Sequence, residues 1–309
     1  MNKDSRIYVA GHTGMVGSAI VRRLQKNGYE NILHRSHKEL DLTDQAATEK
    51  FFQQEKPEFV FLAAAKVGGI HANNTYPADF IMENMLIECN VLRSSFENNV
   101  KKLMLLGSSC IYPKLCPQPI KEEFLLTGEL EPTNEAYALA KISGIKMCQS
   151  YNKQYGTKYI SAMPASLYGT NDRFDINNSH VIPSMIIKFH EAKTHNKPYV
   201  ELWGTGSPLR EFLYVDDMAD ACLYLMQNYE ESEFVNIGSG KEISIKELAE
   251  KIKYVTGYNG ELVFDTTKPD GTPRRVLDNT RIQKTGWKPL IDIEEGLRKE
   301  YDYYLNCIV

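Results

Sequence analysis

The sequence feature that most constrains the fold is a glycine-rich turn near the start of the chain. Residues 6–10 form a short run of residues that favour a strand, residues 11–17 have the spacing G-x-x-G-x-x-G, and residues 18–27 have helical periodicity. The N-terminus of a helix and the backbone N–H groups of such a turn together bind a pyrophosphate. A strand, a glycine turn and a helix in this order therefore predict a nucleotide-binding unit.

The three glycines of this turn have different expected roles. Gly11 permits the tight turn, Gly14 lets backbone N–H groups approach the pyrophosphate, and Gly17 allows the helix to pack closely on the strand. The turn residues predicted to bind the cofactor are Gly11, His12, Thr13, Gly14, Met15, Val16 and Gly17.

Apolar runs and helical patterns continue to alternate after this first unit. Strands are expected at residues 31–34, 59–63, 103–106 and 159–163, and helices at residues 45–55, 79–99 and 134–155. This alternation predicts an α/β fold with a Rossmann-like, doubly wound parallel sheet and right-handed crossovers. Residues 1–169 are interpreted as the nucleotide-binding domain. Residues 170–309 are interpreted mainly as a smaller C-terminal α/β lobe that binds substrate, with some elements returning to the first domain.

The composition excludes several classes of protein. The 309 residues carry a net charge of −4, so no strong field draws the chain to nucleic acid or to an anionic membrane. No apolar run approaches the ~18 residues of a membrane span, and no leader pattern precedes the first strand. The six cysteines form no CxxC pair and no cluster with metal-ligand spacing. A cytoplasmic protein with reduced thiols and no bound metal is expected.

The strand expected at residues 103–106 ends in small and reactive residues. Gly107, Ser108, Ser109 and Cys110 follow it directly. Ligands of open α/β sheets bind at the carboxyl ends of the strands. Ser108 and Cys110 are therefore predicted to lie at the edge of an active site.

Tyr137 and Lys141 lie four residues apart in the helix expected at residues 134–155, and so on one face of it. A lysine cation one turn away is expected to lower the pKa of the phenol from its ordinary value of ~10. A serine hydroxyl at the strand edge then holds a carbonyl oxygen of the substrate. The three groups are interpreted as a device that delivers a proton beside a nicotinamide.

The end of the second strand indicates which nicotinamide cofactor is bound. An NAD site usually has an acidic residue there for the ribose 2′-hydroxyl. Residues 34–38 are instead basic and hydroxylic, with no acid before Glu39. This composition favours NADP, although a solvated surface loop is the alternative interpretation. Asp41 is expected either near a helix N-cap or near the adenine.

The helix expected at residues 79–99 is long and has an apolar side. Glu83 and Glu88 of this helix are expected to be solvated, since carboxylates are rarely buried. Cys89 is expected in the core, because a free cysteine usually behaves as a small apolar side chain.

The glycine turn, Ser108 and the Tyr137-x-x-x-Lys141 pair together resemble the extended short-chain dehydrogenase/reductase family. Longer strings at residues 11–18, 63–80, 107–114, 178–183 and 268–274 resemble the members of this family that act on GDP-4-keto-6-deoxy-D-mannose. The resemblance covers nearly the whole chain. It implies NADPH-dependent epimerisation at C3 and C5 and reduction at C4, giving GDP-L-fucose.

The resemblance also implies roles for individual residues. Epimerisation beside a ketone needs a base and an acid on opposite faces of the sugar. Cys110, whose pKa is expected to be lowered by an electropositive niche, is the implied base, and His180 is the implied acid. Ser108, Tyr137 and Lys141 would serve the C4 reduction. The residues implied for substrate binding are Lys188, Trp203, Arg210 and Asp270.

The resemblance extends the expected cofactor site beyond the glycine turn. Thr13 and His37 stand where some members have arginines for the 2′-phosphate, so Arg35 or Lys38 is expected to compensate. A homodimer formed through two long helices, one of them carrying Tyr137, is implied as well. The further cofactor residues are Arg35, His37, Lys38, Asp41, Leu42, Ala63, Ala64, Leu106, Gly107, Ser108, Ser109, Tyr137, Lys141, Pro164, Ala165, Ser166, Leu167 and His180.

Three other functions fit this sequence less well. A nucleotide-sugar 4,6-dehydratase would have an acidic pair where Ser109 and Cys110 stand. A UDP-hexose 4-epimerase would retain tightly held NAD and would not need Cys110. A redox sensor that only binds NADP would need neither the Ser/Tyr/Lys set nor the added cysteine and histidine.

Overall fold

The computed structural model of the protein describes residues 1–175 and 179–309. Asn178 of the 178–183 string therefore lies outside the described residues. The elements of the first half are β1 (Ile7–Ala10), α1 (Met15–Lys26), β2 (Ile32–Leu33), α2 (Gln45–Glu55), β3 (Phe59–Leu62), α3 (Ile70–Thr75), α4 (Pro77–Glu97), β4 (Lys102–Leu106), α5 (Glu135–Tyr155) and β5 (Tyr159–Pro164). Short 3₁₀ helices span Ser109–Ile111, Glu122–Phe124 and Pro132–Asn134.

The second half of the described chain alternates shorter strands with helices. Its elements are β6 (Ser166–Tyr168), α6 (Val181–Thr194), β7 (Tyr199–Trp203), β8 (Leu209–Tyr214), α7 (Val215–Asn228), β9 (Val235–Ile237), β10 (Glu242–Ser244), α8 (Ile245–Thr256), β11 (Glu261–Asp265), β12 (Arg274–Arg275), α9 (Thr280–Lys284) and α10 (Ile293–Cys307). None of the helices in the described ranges combines the length and apolar composition needed to cross a bilayer.

Within the described residues, six parallel strands form one sheet in the order β2-β1-β3-β4-β5-β9. Side chains of a strand point alternately to the two faces. On β1, Ile7 and Val9 pack with α1 and α7, whereas Tyr8 and Ala10 pack with α2, α4 and α5. Helices thus cover both faces, and the predicted α/β fold with a doubly wound parallel sheet is confirmed.

The order of the strands reverses between β1 and β3, because the chain passes first to β2 and then returns to the other side of β1. Ligands of open α/β sheets bind in the crevice at such a point. Gly11 ends β1 with a φ of +82°, and a Cβ at this position would lie 2.7 Å from the backbone nitrogen of Ala64 after β3. The two strand ends approach so closely that only glycine fits here.

The smaller part of the protein is built around β8. β6 and β12 run parallel to β8 and β10 runs antiparallel to it, while β7 pairs with β11 separately. Helices α6, α8 and α10 enclose a core there that includes Phe189, Leu248 and Tyr301. β9 lies in the large sheet, and the division at residues 169/170 stays a prediction.

Residues 70–75 form α3, where the side-chain amide of Asn73 donates to the carbonyl oxygens of Gly68 and Gly69. Two expectations about α4 are wrong. Glu88 is buried, with 1% of its surface exposed, whereas Cys89 is exposed. α4 therefore buries the face that carries Asn84 and Glu88, one turn apart, and turns Cys89 outward.

Candidate active site

A cleft of about 920 Å³ opens at the carboxyl edge of the large sheet. The glycine turn after β1, the small residues after β3, the serines after β4 and the segment after β5 all line it. Parallel strands bring their carboxyl ends to one edge, which explains why residues distant in the chain meet there. Among the predicted site residues, those that line the cleft are Gly11, Thr13, Gly14, Met15, Val16, Gly17, Arg35, His37, Asp41, Leu42, Ala63, Ala64, Leu106, Gly107, Ser108, Ser109, Tyr137, Lys141, Pro164, Ala165, Ser166, Leu167, His180 and Arg210.

The start of α1 is shaped for a pyrophosphate. Gly14 is the N-cap and offers no side chain to the first-turn N–H groups, which are therefore left for a ligand. A Cβ on Gly17 would overlap the carbonyl oxygen of Gly11, so α1 packs directly on the turn. The residues around this turn fit a dinucleotide cofactor.

The region expected to hold a 2′-phosphate contains one cation well placed for it. Arg35 lines the cleft, forms an ion pair with Glu55 at 2.5 Å and lies over the ring of Phe51. Lys38 is exposed and does not line the cleft. Asp41 accepts hydrogen bonds from the N–H and hydroxyl of Thr43. Arg35, and not Lys38, is therefore the candidate for binding the 2′-phosphate.

Ser108, Tyr137 and Lys141 all line the cleft. Ser108 is the N-cap of the 3₁₀ helix after β4, and its hydroxyl accepts from the N–H of Cys110 at 3.3 Å. Tyr137 contacts Phe80 edge-on, with ring centroids 6.3 Å apart. The ammonium of Lys141 lies 5.9 Å from the centroid of the Tyr137 ring.

The expectation that Lys141 lowers the pKa of Tyr137 is wrong for this structure. Burial raises the pKa of Tyr137, and the charges of Cys110 and Glu88 raise it further. The Lys141 ammonium lies 3.0 Å from a carboxylate oxygen of Glu88. Glu88 therefore offsets part of the field that Lys141 exerts on the phenol.

Cys110 follows Ser108 and Ser109, which line the cleft, but does not itself line it. The expected lowering of its pKa is wrong, because burial raises the pKa of the thiol more than Ser108, Arg275 and Lys141 lower it. Arg275, which the sequence did not single out, donates to the carbonyl oxygen of Ser109. The thiol is thus protonated near neutral pH and has cations close by.

His180 reaches the same cleft from another element. It is the exposed N-cap residue of α6 and lines the cleft together with Val181 and Ile182. The fold thus brings His180 to the cleft that Ser108 and Tyr137 line, although 72 residues separate it from Ser108. An imidazole and a thiol therefore lie at or beside one cleft.

Of the four residues implied for substrate binding, only Arg210 lines the cleft. Arg210 is the register partner of Arg275 on the neighbouring strand. Trp203 is 69% exposed, with the Lys268 ammonium over its ring. The Asp270 carboxylate accepts from the N–H and hydroxyl of Thr205. Lys188 lies on α6 with its ammonium 3.5 Å from the carbonyl oxygen of Glu201. Trp203, Asp270 and Lys188 lie outside the lining of the cleft, as does His12.

Sequence reasoning missed Glu88 and Arg275. A signal for Glu88 was present, because Phe80, Asn84, Glu88 and Val91 follow helical spacing on one face of α4. Arg275 carried no such signal, since its position depends on the pairing of β12 with β8. The lining of the cleft also includes Leu40, Thr43, Ala65, Lys66, Val67, Glu83, Ile87 and Phe212.

The chain is similar over nearly its full length to proteins of known family. Residues 7–238 match the NAD dependent epimerase/dehydratase family. The chain is 59% identical over 307 residues to GDP-L-fucose synthase 1 of Arabidopsis thaliana, covering 99% of this chain and 95% of that protein. It is 52% identical over 310 residues to the GDP-L-fucose synthase of Escherichia coli K12, covering 97% of each.

A solved structure with NADP bound is also similar over the full length. The GDP-mannoheptose C4 reductase from Campylobacter jejuni has a TM-score of 0.93 and 42% identity, covering 99% of this chain and all of that chain. The similarity therefore includes the large sheet, the smaller lobe and the cleft at the edge of the sheet.

Proposed function

The chain belongs to the NAD dependent epimerase/dehydratase family, and from that premise we propose that it converts GDP-4-keto-6-deoxy-D-mannose to GDP-L-fucose. The observation that carries the proposal is one cleft served by two sets of proton-transfer groups. Ser108, Tyr137 and Lys141 form one set, and Cys110 with His180 forms the other. A reduction and an epimerisation of one sugar need these two sets.

In the reduction, Tyr137 donates its phenolic proton to the oxygen on C4. NADPH supplies the hydride for C4 when it is bound. Ser108 donates a hydrogen bond that holds the same oxygen, and the Lys141 ammonium stabilises the phenolate that forms. Because burial raises the pKa of Tyr137, the phenol is protonated near neutral pH and ready to donate.

In the epimerisation, Cys110 removes a proton from the carbon beside the ketone and His180 returns one to the opposite face. The C4 ketone makes these C–H bonds acidic, so both epimerisations precede the reduction. Ser109 and Cys110 stand where a 4,6-dehydratase would have its acidic pair, which disfavours elimination. Arg210, directed into the cleft, is proposed to bind the diphosphate, since its planar guanidinium contacts two oxygens at once.

We propose NADPH as the cofactor, with its 2′-phosphate held by Arg35. The Arg35→Met variant should lose roughly tenfold to a hundredfold in kcat/KM for NADPH, the value of a charge-assisted hydrogen bond, and little for NADH. Measuring both cofactors with both enzymes checks this. Lys38→Met is the matched control, because Lys38 is exposed and off the cleft. Equal loss with NADPH and NADH would contradict the assignment of Arg35.

We also propose a homodimer formed through α4 and α5. These neighbouring helices carry several exposed apolar side chains, which water solvates poorly. Light scattering should give twice the mass of one chain, and Phe96→Glu should shift the mass to that of one chain. A wild-type mass of one chain would refute the proposal. The exposed apolar side chains are Met82, Leu86, Phe96, Leu139 and Tyr155.

The overall proposal is tested by one incubation of the enzyme with GDP-4-keto-6-deoxy-D-mannose and NADPH in heavy water. The product should be GDP-L-fucose that carries deuterium at C3 and C5, identified by NMR. A reduced sugar without deuterium would leave a plain C4 reductase and remove the roles of Cys110 and His180. No oxidation of NADPH would contradict the assigned substrate.

A further inference from the structure

A buried ion pair lies next to the residues that are proposed to carry out the reduction. Glu88 on α4 and Lys141 on α5 are 1% and 2% exposed, and a Glu88 carboxylate oxygen lies 3.0 Å from the Lys141 ammonium. In the described part of the chain, Lys141 is the one cation that forms an ion pair with Glu88. Glu88 does not line the cleft, whereas Lys141 does.

The backbone is shaped to admit this carboxylate. Gly144 of α5 faces Glu88, and a Cβ at position 144 would overlap the Glu88 carboxylate and the side chain of Leu105. A glycine within a helix costs about 1 kcal/mol relative to alanine. The packing of α5 on α4 at Gly144 thus leaves a space that the Glu88 carboxylate occupies.

Each of the two charges is costly without the other. Burying a lone carboxylate or ammonium is strongly unfavourable, and removing one member of a buried pair leaves the other uncompensated. A Lys141 without Glu88 would therefore lose its proton or move its side chain toward water. Either change would remove the cation from its place one helical turn from Tyr137.

We infer that Glu88 is a positioning residue for the reduction, whose carboxylate holds the Lys141 ammonium beside Tyr137. The inference rests on the proposed function. Glu88 acts through Lys141, since it reaches neither the cleft nor the reacting atoms. The reduction depends on Glu88 because the phenolate that forms on Tyr137 needs the Lys141 ammonium nearby.

The epimerisation should depend on Glu88 much less. Cys110 comes from the 3₁₀ helix after β4 and His180 from the start of α6, so neither is held by α4. Lys141 does face Cys110, but Arg275 faces that thiol as well and lowers its pKa more. A loss confined to the reduction therefore distinguishes positioning from general damage to the fold.

The test compares Glu88→Gln with the wild type in two assays. One follows oxidation of NADPH with GDP-4-keto-6-deoxy-D-mannose, and the other follows uptake of deuterium at C3 and C5 without any cofactor. We expect the reduction to slow by roughly a hundredfold, the scale of assisted proton transfer, with deuterium uptake largely retained. Glu122→Gln is the control, since Glu122 is a buried carboxylate that bonds to the backbone of Asn236 elsewhere in the fold.

A second variant keeps the inference testable if Glu88→Gln folds poorly. Gly144→Ala retains the carboxylate but displaces it, and it should give the same selective loss of reduction. Proportional loss of both reactions in the variants would overturn the inference, and so would reduction at the wild-type rate. A wild-type enzyme that takes up no deuterium and oxidises no NADPH would instead contradict the proposed function.

Discussion

Tyr137→Phe is expected to stop the reduction at C4 while deuterium continues to enter C3 and C5. The substitution keeps the ring and its edge-on contact with Phe80 but removes the hydroxyl that donates the proton. Loss of a positioned proton donor costs about 10²–10⁴-fold in rate. Oxidation of NADPH measures the first reaction, and NMR of the sugar in heavy water measures the second.

Tyr151→Phe is the matched control for this experiment. Tyr151 lies on the same helix but contacts Phe96 and Tyr155, away from the cleft. The Tyr151→Phe variant should reduce the ketone and take up deuterium at C3 and C5 at the wild-type rates. Reduction by Tyr137→Phe within a few fold of the wild type would show that another group donates the proton.

The pH dependence of the reduction follows from the raised pKa of Tyr137. Burial, Cys110 and Glu88 all disfavour the phenolate, so the protonated donor persists to higher pH than for a free tyrosine. Reduction should therefore be lost only on the alkaline side, above the ordinary pKa of 10.0.

Cys110→Ser is the second substitution with a large expected effect. It should stop the epimerisation and spare the reduction, whereas Tyr137→Phe should do the reverse. Uptake of deuterium at C3 and C5 should fall by about a hundredfold or more, because a hydroxyl is a far weaker base than a thiolate. Slow direct reduction of the ketone should remain, since Ser108, Tyr137 and Lys141 are unchanged. NMR should then identify a reduced sugar without deuterium.

The rate of exchange in the wild type should also rise with pH. Burial raises the pKa of Cys110 above its ordinary value of 9.0, so the thiolate fraction increases through neutral pH and beyond. Cys307→Ser is the control, because Cys307 is exposed at the end of α10 and does not line the cleft. Exchange by Cys110→Ser at the wild-type rate would remove the cysteine from the role of base.

Local patterns in the sequence were sufficient for five of the six strands of the large sheet, all except β9. Strand–turn–helix spacing predicted β1, the glycine turn and α1, since backbone sterics and dipoles act within a few residues. The fixed spacing of Tyr137 and Lys141 on one helix was enough to place them on the same face. The helix N-cap expected near Asp41 is also present, and Asp44 is the capping residue of α2.

Only the tertiary structure decided which charges near the site lie beside each other. The pairing of Glu88 with Lys141 depends on the packing of α4 against α5, and the position of Arg275 beside Arg210 depends on the register of β12 and β8. The predicted directions of the pKa shifts of Tyr137 and Cys110 were wrong for the same reason. Burial raises both pKa values and outweighs the nearby cations. Periodicity within an element determines which side chains share a face, whereas desolvation and the choice of counterion depend on neighbours distant in the chain.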